Sequence, residues 1–157
     1  MGIATHLGPW LLGTNRYTTG TTAATTRNTG ATQVVQTKTV AFDDADDSNA
    51  FVMPAGTLIT AFRFITTTAF GAATTITLSI GGTAVTAALT VTTAGAYQFT
   101  IASTTAAAAL VANTGTTDKF VTYTVAQGIS DVGAGVLIVE YVVRNSDGTM
   151  YQTAREV

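Results

Sequence analysis

Cysteine is absent from this 157-residue chain, which excludes disulfide staples, thiolate metal sites and a cysteine nucleophile. Histidine occurs once, as His6, and proline twice. Charge is scarce: seven Lys and Arg stand against nine Asp and Glu, a formal net charge of −2. Such a chain has no basic patch with which to displace counterions from phosphate, so nucleic acid is not an expected partner. Nor is it a disordered acidic tail, because disorder goes with high net charge and low hydrophobicity, and 46% of these residues are hydrophobic. Long apolar runs are missing as well. The stretches 106–112 and 136–139 fall far short of the ~20 residues needed to cross a bilayer, so no membrane partner is expected. The opening Met1-Gly-Ile-Ala-Thr-His6 lacks the basic and apolar regions of a secretory signal, which leads us to expect a soluble protein made in the cytoplasm.

Threonine and alanine fill the space, with 35 and 26 copies. Threonine is β-branched, suits a pleated strand, and keeps an outer sheet face wettable without charge. The chain divides in two. Residues 1–31 hold one small apolar knot, Pro9-Trp10-Leu11-Leu12, followed by Thr, Gly, Ala and Asn with Arg16 and Arg27. No period is sustained there, and the segment reads as an extended arm that is ordered only against a partner surface, since ordering costs about 1–2 kcal/mol per residue. Residues 32–157 read as one β-sandwich domain.

Strand-like segments follow one another from residue 33. The first, 33–42, ends in a solvated aspartate loop, 43–49, and 51–53 resumes briefly before the Pro54-Ala-Gly56 turn. In 58–67 the alternation puts Ile59, Ala61, Arg63 and Ile65 on one face and Leu58, Phe62 and Phe64 on the other. Thr75–Ile80 points Ile76, Leu78 and Ile80 inward, and Gly81-Gly82 is a two-residue hairpin signal, with 83–91 as the returning strand. Segment 96–101 alternates Tyr97, Phe99 and Ile101; segment 119–125 alternates Val121, Tyr123 and Val125 against Phe120, Thr122 and Thr124. The apolar run 136–144 reads as a central strand, and 149–153 pairs back as a last one after the turn at 145–148. Only 106–111 favours a helical turn or two. Eight or nine short strands between turns indicate an all-β sandwich or barrel.

Catalytic signals are thin. His6 lies in the arm, and none of Ser48, Ser79, Ser103, Ser130 or Ser146 sits in a nucleophile-elbow motif. Asp43, Asp44, Asp46 and Asp47 do not follow the calcium-loop spacing, and solvated charge at a strand end is their plainer role. A glycosidase pair would draw on Asp118, Asp131, Glu140 and Asp147, but the spacing gives no support, and Glu140 is better read as an ion-pair partner of Arg63 or Arg144. Gly81-Gly82 and Gly133-Ala-Gly135 lack the further residues of a phosphate-binding loop. Tyr97, Tyr123 and Tyr141 fall in strand patterns, as core or subunit-contact residues. Trp10 is a poor core contributor and a good anchor on another subunit. The expectation is therefore a non-enzyme with no metal, no cofactor and no small-molecule substrate.

Three segments carry a family resemblance. Met53-Pro-Ala-Gly-Thr-Leu-Ile-Thr-Ala-Phe-Arg-Phe-Ile-Thr-Thr-Thr-Ala-Phe70 resembles the opening of a β-sandwich common in tailed-phage virion proteins. Thr75-Ile-Thr-Leu-Ser-Ile-Gly-Gly82 and Ala134-Gly-Val-Leu-Ile-Val-Glu-Tyr-Val-Val143 look like its middle and closing strands. The arm, with its Leu-Gly-Pro-Trp and Arg-Asn-Thr-Gly elements, is similar to the N-terminal arms of small phage capsid proteins. The aspartate loop 43–47 and the apolar segment 106–112 have no counterpart in that pattern. The resemblance implies a jelly-roll-like antiparallel β-sandwich preceded by an extended N-terminal arm. It also implies a capsid decoration, or cement, protein that is made in the host cytoplasm and ends on the outer capsid surface of the virion. Its implied partners are itself, as a homotrimer, and the major capsid protein, with Pro9, Trp10, Leu11, Leu12, Arg16 and Arg27 of the arm as the capsid contacts. The alternative reading is a receptor- or glycan-binding fibre, tail or neck domain of a phage, which calls for an exposed aromatic platform at a loop end.

Overall fold

The computed structural model describes residues 33–126 and 132–144. The arm with its six expected contact residues, His6, and the strand expected at 149–153 lie outside them. Among the described residues nine strands and one helix follow in chain order: β1 (Gln33–Ala41), β2 (Ser48–Met53), β3 (Leu58–Thr68), β4 (Thr75–Ile80), β5 (Thr83–Ala84), β6 (Leu89–Thr90), β7 (Gly95–Gln98), α1 (Thr105–Ala112), β8 (Lys119–Ala126) and β9 (Ala134–Val142). They form two sheets, one ordered β1-β9-β3-β7 and the other β2-β8-β4-β5, with β6 also paired to β4.

Every pairing is antiparallel and the pairs are nested. β1 pairs with β9, β2 with β8, β3 with β7, and β4 with β5 and β6, so the chain is one long hairpin rolled over on itself. Two further ladders, β9 to β3 and β8 to β4, close the roll. With β5 and β6 as one interrupted strand, this is the eight-strand order of a jelly roll. The all-β sandwich expected from the sequence is the fold observed, and the jelly-roll order is the one that the family resemblance implies. The tip of the hairpin is Gly81-Gly82, with φ of 55° and 81°, the left-handed pair that a two-residue primed turn needs.

The core lies between the sheets. β4 and β8 supply it by strict alternation, with Ile76, Leu78, Ile80, Val121, Tyr123 and Val125 all buried. β9 contributes Leu137, Val139 and Tyr141, and the two inward positions before them, Gly135 in β9 and Gly133 just ahead of it, are glycine. A Cβ on Gly135 would lie 2.3 Å from the Phe64 ring and 2.6 Å from the Ile65 carbonyl oxygen. A Cβ on Gly133, whose φ is 149°, would lie 2.3 Å from the Phe70 ring. The two rings, 6.0 Å apart and tilted, thus sit directly on the backbone at the entry to β9. Gly133-Ala-Gly135 is a floor for two phenylalanines.

Several expected details are corrected. The face assignment in 58–67 holds for Phe62 and Phe64 against Arg63 and Ile65 but fails at Ile59, because the β3–β9 register shifts between Ile59 and Ala61. Ile59 is therefore buried together with Phe62 and Phe64, while Arg63 and Ile65 point outward; a bulge switches the parity of a strand in this way. The returning strand 83–91 is broken in two. At Thr86 the chain leaves β4 and bridges Ile101, and the Thr86 hydroxyl accepts the Leu78 amide at 3.0 Å. The strand expected at 96–101 ends at Gln98, since residues 100–102 cross to bond Val85 and Ala87 and join the edges of the two sheets. The central strand is Ala134–Val142 rather than 136–144. Arg144 has left the ladder, and its guanidinium donates to the carbonyls of Gly56 and Ala112. Threonine is not confined to the outside either: Thr57, Thr66, Thr74, Thr86 and Thr114 are buried.

The helical turn expected at 106–111 is the full helix α1. The Thr104 hydroxyl accepts the Ala107 amide at 3.2 Å, and Asn113 closes the other end through its amide to Ala109 at 2.9 Å. No helix among the described residues is long and apolar enough to cross a membrane.

The glycine floor gives a direct test. Gly135→Ala forces a methyl against a backbone oxygen, and overpacking of this kind costs about 2–3 kcal/mol. Thermal unfolding should show a melting point lower by roughly 5–10 °C. Gly82→Ala meets no atom within 4 Å but keeps a φ of 81°, and its expected penalty is only about 1–2 kcal/mol.

Candidate interaction surface

The outer face of the β1-β9-β3-β7 sheet is built from side chains that the pleat turns away from the core. Register places Val35 of β1 opposite Glu140 of β9, Thr37 opposite Ile138, and Thr39 opposite Val136. Across β9, Ile138 faces Arg63 and Val136 faces Ile65; beyond these, Arg63 faces Gln98 and Ile65 faces Ala96. A groove of 390 Å³ runs between Arg63, Ile65, Ala96, Tyr97, Gln98 and Ile138. Val35 is 57% and Ile65 41% exposed.

One polar cluster shares this face. The Arg63 guanidinium lies 3.2 Å from the Glu140 carboxylate, so Glu140 takes the first of its two expected partners. Gln33 donates to the other carboxylate oxygen at 2.9 Å and to the Thr60 hydroxyl at 3.2 Å. Arg63 is half exposed, which puts the pair among the weak surface ion pairs, worth up to about 1 kcal/mol. Its larger effect is to pair the two charges that the register places on this face among the described residues.

The outer face of the other sheet differs. β4 and β8 present Thr75, Thr77, Ser79, Thr122 and Thr124, with Thr77 opposite Thr124 and Ser79 opposite Thr122. Val52 and Phe120 stand opposite one another on that sheet, 46% and 52% exposed, beside the Gly81-Gly82 turn. Phe120 is the exposed phenylalanine among the described residues.

The titratable groups inside the sandwich act in packing. Tyr123 is buried and donates its hydroxyl to Asp44 at 2.7 Å. Burial first, then the hydrogen bond and charge of Asp44, push the phenol up to about 12. Burial also raises Tyr141, while the amide of Gln36, donating at 2.7 Å, works against that rise. Asp44 corrects the reading of the aspartate loop as wholly solvated. It is half-buried and accepts the Ala41 amide at 2.8 Å as well as the tyrosine, while Asp43, Asp46 and Asp47 stay exposed. The loop is also shorter than expected, because β2 begins at Ser48. Among the described residues no three acidic or histidine side chains converge as metal ligands. Tyr123 and Tyr141 are core residues, as their strand positions suggested; Tyr97 lies half-buried at the sheet edge and bonds Thr93.

Sequence reasoning missed the apolar outer face. The signal was present in 134–142, where both parities of β9 are apolar, as they are in a strand covered on both sides. Comparison with known proteins adds little to this geometry. No family model matches the chain, and no curated protein does. Among solved structures, it is similar to a chain from the acidic stable capsid structure of Helicobacter pylori bacteriophage KHP30. The two are 16% identical with a TM-score of 0.45, over 71% of this chain and 87% of that one. The jelly-roll assignment rests on the strand order given above.

Tyr123 provides the pH test. Its phenol is harder to ionise in the folded state than in the unfolded chain, so the folded state holds the proton more tightly. Stability from this group is complete below about pH 10 and falls as the pH rises towards 12. Tyr123→Phe removes that slope and also strips Asp44 of a donor, costing about 1.5–3 kcal/mol near neutrality. Denaturant titrations at pH 7 and pH 11 should show the gap between wild type and variant narrowing at the higher pH.

Proposed function

We propose that this chain is a structural virion protein that decorates and stabilises a phage capsid, bound as an oligomer to the outside of the major capsid lattice. The observation that carries the reading is the jelly-roll strand order, found in a chain whose segments 53–70, 75–82 and 134–143 resemble the β-sandwich of tailed-phage virion proteins. Those segments fall where such a likeness has structural meaning. The first forms the corner between the sheets and then β3, the second is β4 with the hairpin tip, and the third is β9. A fold by itself assigns no function, and the surface supplies the second support: a low-charge exterior with an apolar sheet face suits contact between proteins.

On this reading the role is mechanical rather than catalytic, with no cofactor. The arm, residues 1–31, grips the shell through Pro9, Trp10, Leu11 and Leu12, with Arg16 and Arg27 adding charge. Several arms on one oligomer bind together at high effective concentration, so modest single contacts add up to tight attachment.

The test is addition of the purified chain to empty capsids that lack it, read by mass photometry. Saturable addition is expected. Deleting residues 1–31 is expected to leave the sandwich folded and to abolish addition, because the paired strands and the core residues described above all fall within residues 33–142. Shells that ignore the intact chain, or that still bind the deleted one, overturn the proposal or its arm respectively. A specific glycan-array signal from a chain that ignores shells favours a receptor-binding domain instead.

A further inference from the structure

We propose that the outer face of the β1-β9-β3-β7 sheet is a self-association surface, covered by a second copy of this chain. The inference rests on the reading above only for the need of an oligomer; its own warrant is the chemistry of the face.

The first ground is composition. A sheet face meant for water alternates polar side chains outward, as β4 and β8 do with Thr75, Thr77, Ser79, Thr122 and Thr124. The other sheet instead turns out Val136, Ile138, Ile65 and Ala96, contiguous across β9, β3 and β7, with Val35 of β1 on the diagonal from Ile138. An exposed, contiguous apolar patch marks a contact surface, while scattered single residues do not. Val52 and Phe120 on the opposite sheet are a single cross-strand pair set among hydroxyls, and by themselves they offer too little area.

The second ground is charge. Arg63 and Glu140 are the ionised side chains that the register places on this face among the described residues, and they neutralise each other at 3.2 Å. Lys38 has the opposite parity, paired to inward Leu137. A face without net charge meets an identical one with no like-charge penalty, whereas a strongly charged shell surface would be better matched by an unpaired charge of opposite sign. Neutrality therefore favours a second copy.

The third ground is area. At ~4.8 Å between strands and ~3.4 Å per residue, four strands with lengths like these present about 500 Å². Two such faces together reach about 1,000 Å², the size from which specific interfaces begin. A two-fold pairing lays the face on itself, which is the arrangement that both the neutrality and the area describe.

The experiment uses the full chain and no capsid, so its failure is separate from that of the decoration reading. Sedimentation equilibrium and mass photometry measure the assembly state of wild type, of the double variant Val35→Lys/Ile65→Lys, and of Thr77→Lys on the opposite sheet. Val35 and Ile65 are exposed in the single chain, so their replacement leaves the core intact, which circular dichroism and thermal melts verify. The expected result is a defined oligomer for wild type and for Thr77→Lys. For the double variant the apparent self-dissociation constant should rise at least about 100-fold, because lysines from each copy meet on a desolvated face. A monomeric wild type overturns the inference, and so does an oligomer that the double variant leaves intact.

Discussion

The approach of two phenylalanine rings to the bare backbone of β9 is the constraint from which the rest of the sandwich follows. Phe64 and Phe70 occupy space that any side chain at Gly135 or Gly133 would claim. Phe64 belongs to β3 and is fixed opposite Leu137, while Gly135 stands opposite Thr66. The ring therefore reaches diagonally across the ladder onto the glycine, a device by which an aromatic covers a glycine that would otherwise weaken a strand. β9 pairs with β1 on one side and β3 on the other, so its register fixes the face of both. A one-residue slip would turn Leu137, Val139 and Tyr141 outward and expel the rings from their floor.

Threonine does more inside this fold than its β-propensity implies. Thr114 accepts the Thr57 amide at 3.1 Å and donates to the Pro54 carbonyl at 2.9 Å, closing the corner between β2 and β3. Thr86 supplies a hydroxyl where the ladder lacks a carbonyl, which lets the chain leave β4 without orphaning the Leu78 amide. Thr104 caps the only helix among the described residues. A buried backbone group without a partner costs as much as a lost hydrogen bond, and these hydroxyls meet that demand without bringing charge into the core. The scarcity of ionisable residues is consistent with such a design, since the polar duties of corners, breaks and caps fall to an uncharged side chain.

What could be read from the sequence was what local pattern determines. The alternation of β4 and β8 and the Gly81-Gly82 tip depend on neighbours in the chain and stand where the sequence puts them, and the helical turn expected at 106–111 extends to the helix Thr105–Ala112. What escaped depends on partners far away in sequence. The bulge after Ile59 is set by the β9 register, the break at Thr86 by Ile101, and the inward turn of Asp44 by Tyr123, 79 residues distant. Gly133-Ala-Gly135 was visible as a pair, but its meaning needed the two rings. The outer apolar face was half legible: the run in β9 was plain and the alternation set Ile65 apart from Phe62 and Phe64, whereas the pairing of Ile65 with Val136 and Ala96 depends on the register of distant strands. The arm residues, Trp10 among them, lie outside the described structure, and their role stays with the sequence argument.

The two proposed contacts meet at one strand. β1 begins at Gln33, immediately after the arm, and its outward residues Val35, Thr37 and Thr39 form the margin of the apolar face. Gln33 itself bonds Glu140, the carboxylate that neutralises Arg63. If copies cover one another across this sheet, the arms leave from the rim of that contact, and the geometry of the oligomer sets where they start. A chain of about 30 residues reaches tens of ångströms even when partly coiled, so arms starting from one assembly could engage separate sites on a shell. Avidity depends on that spacing as much as on the strength of each grip. On the proposed reading the neutral sheet face and the arm are one mechanism, in which self-association would fix the origin of each arm and the arms would convert an assembly of modest contacts into a clamp.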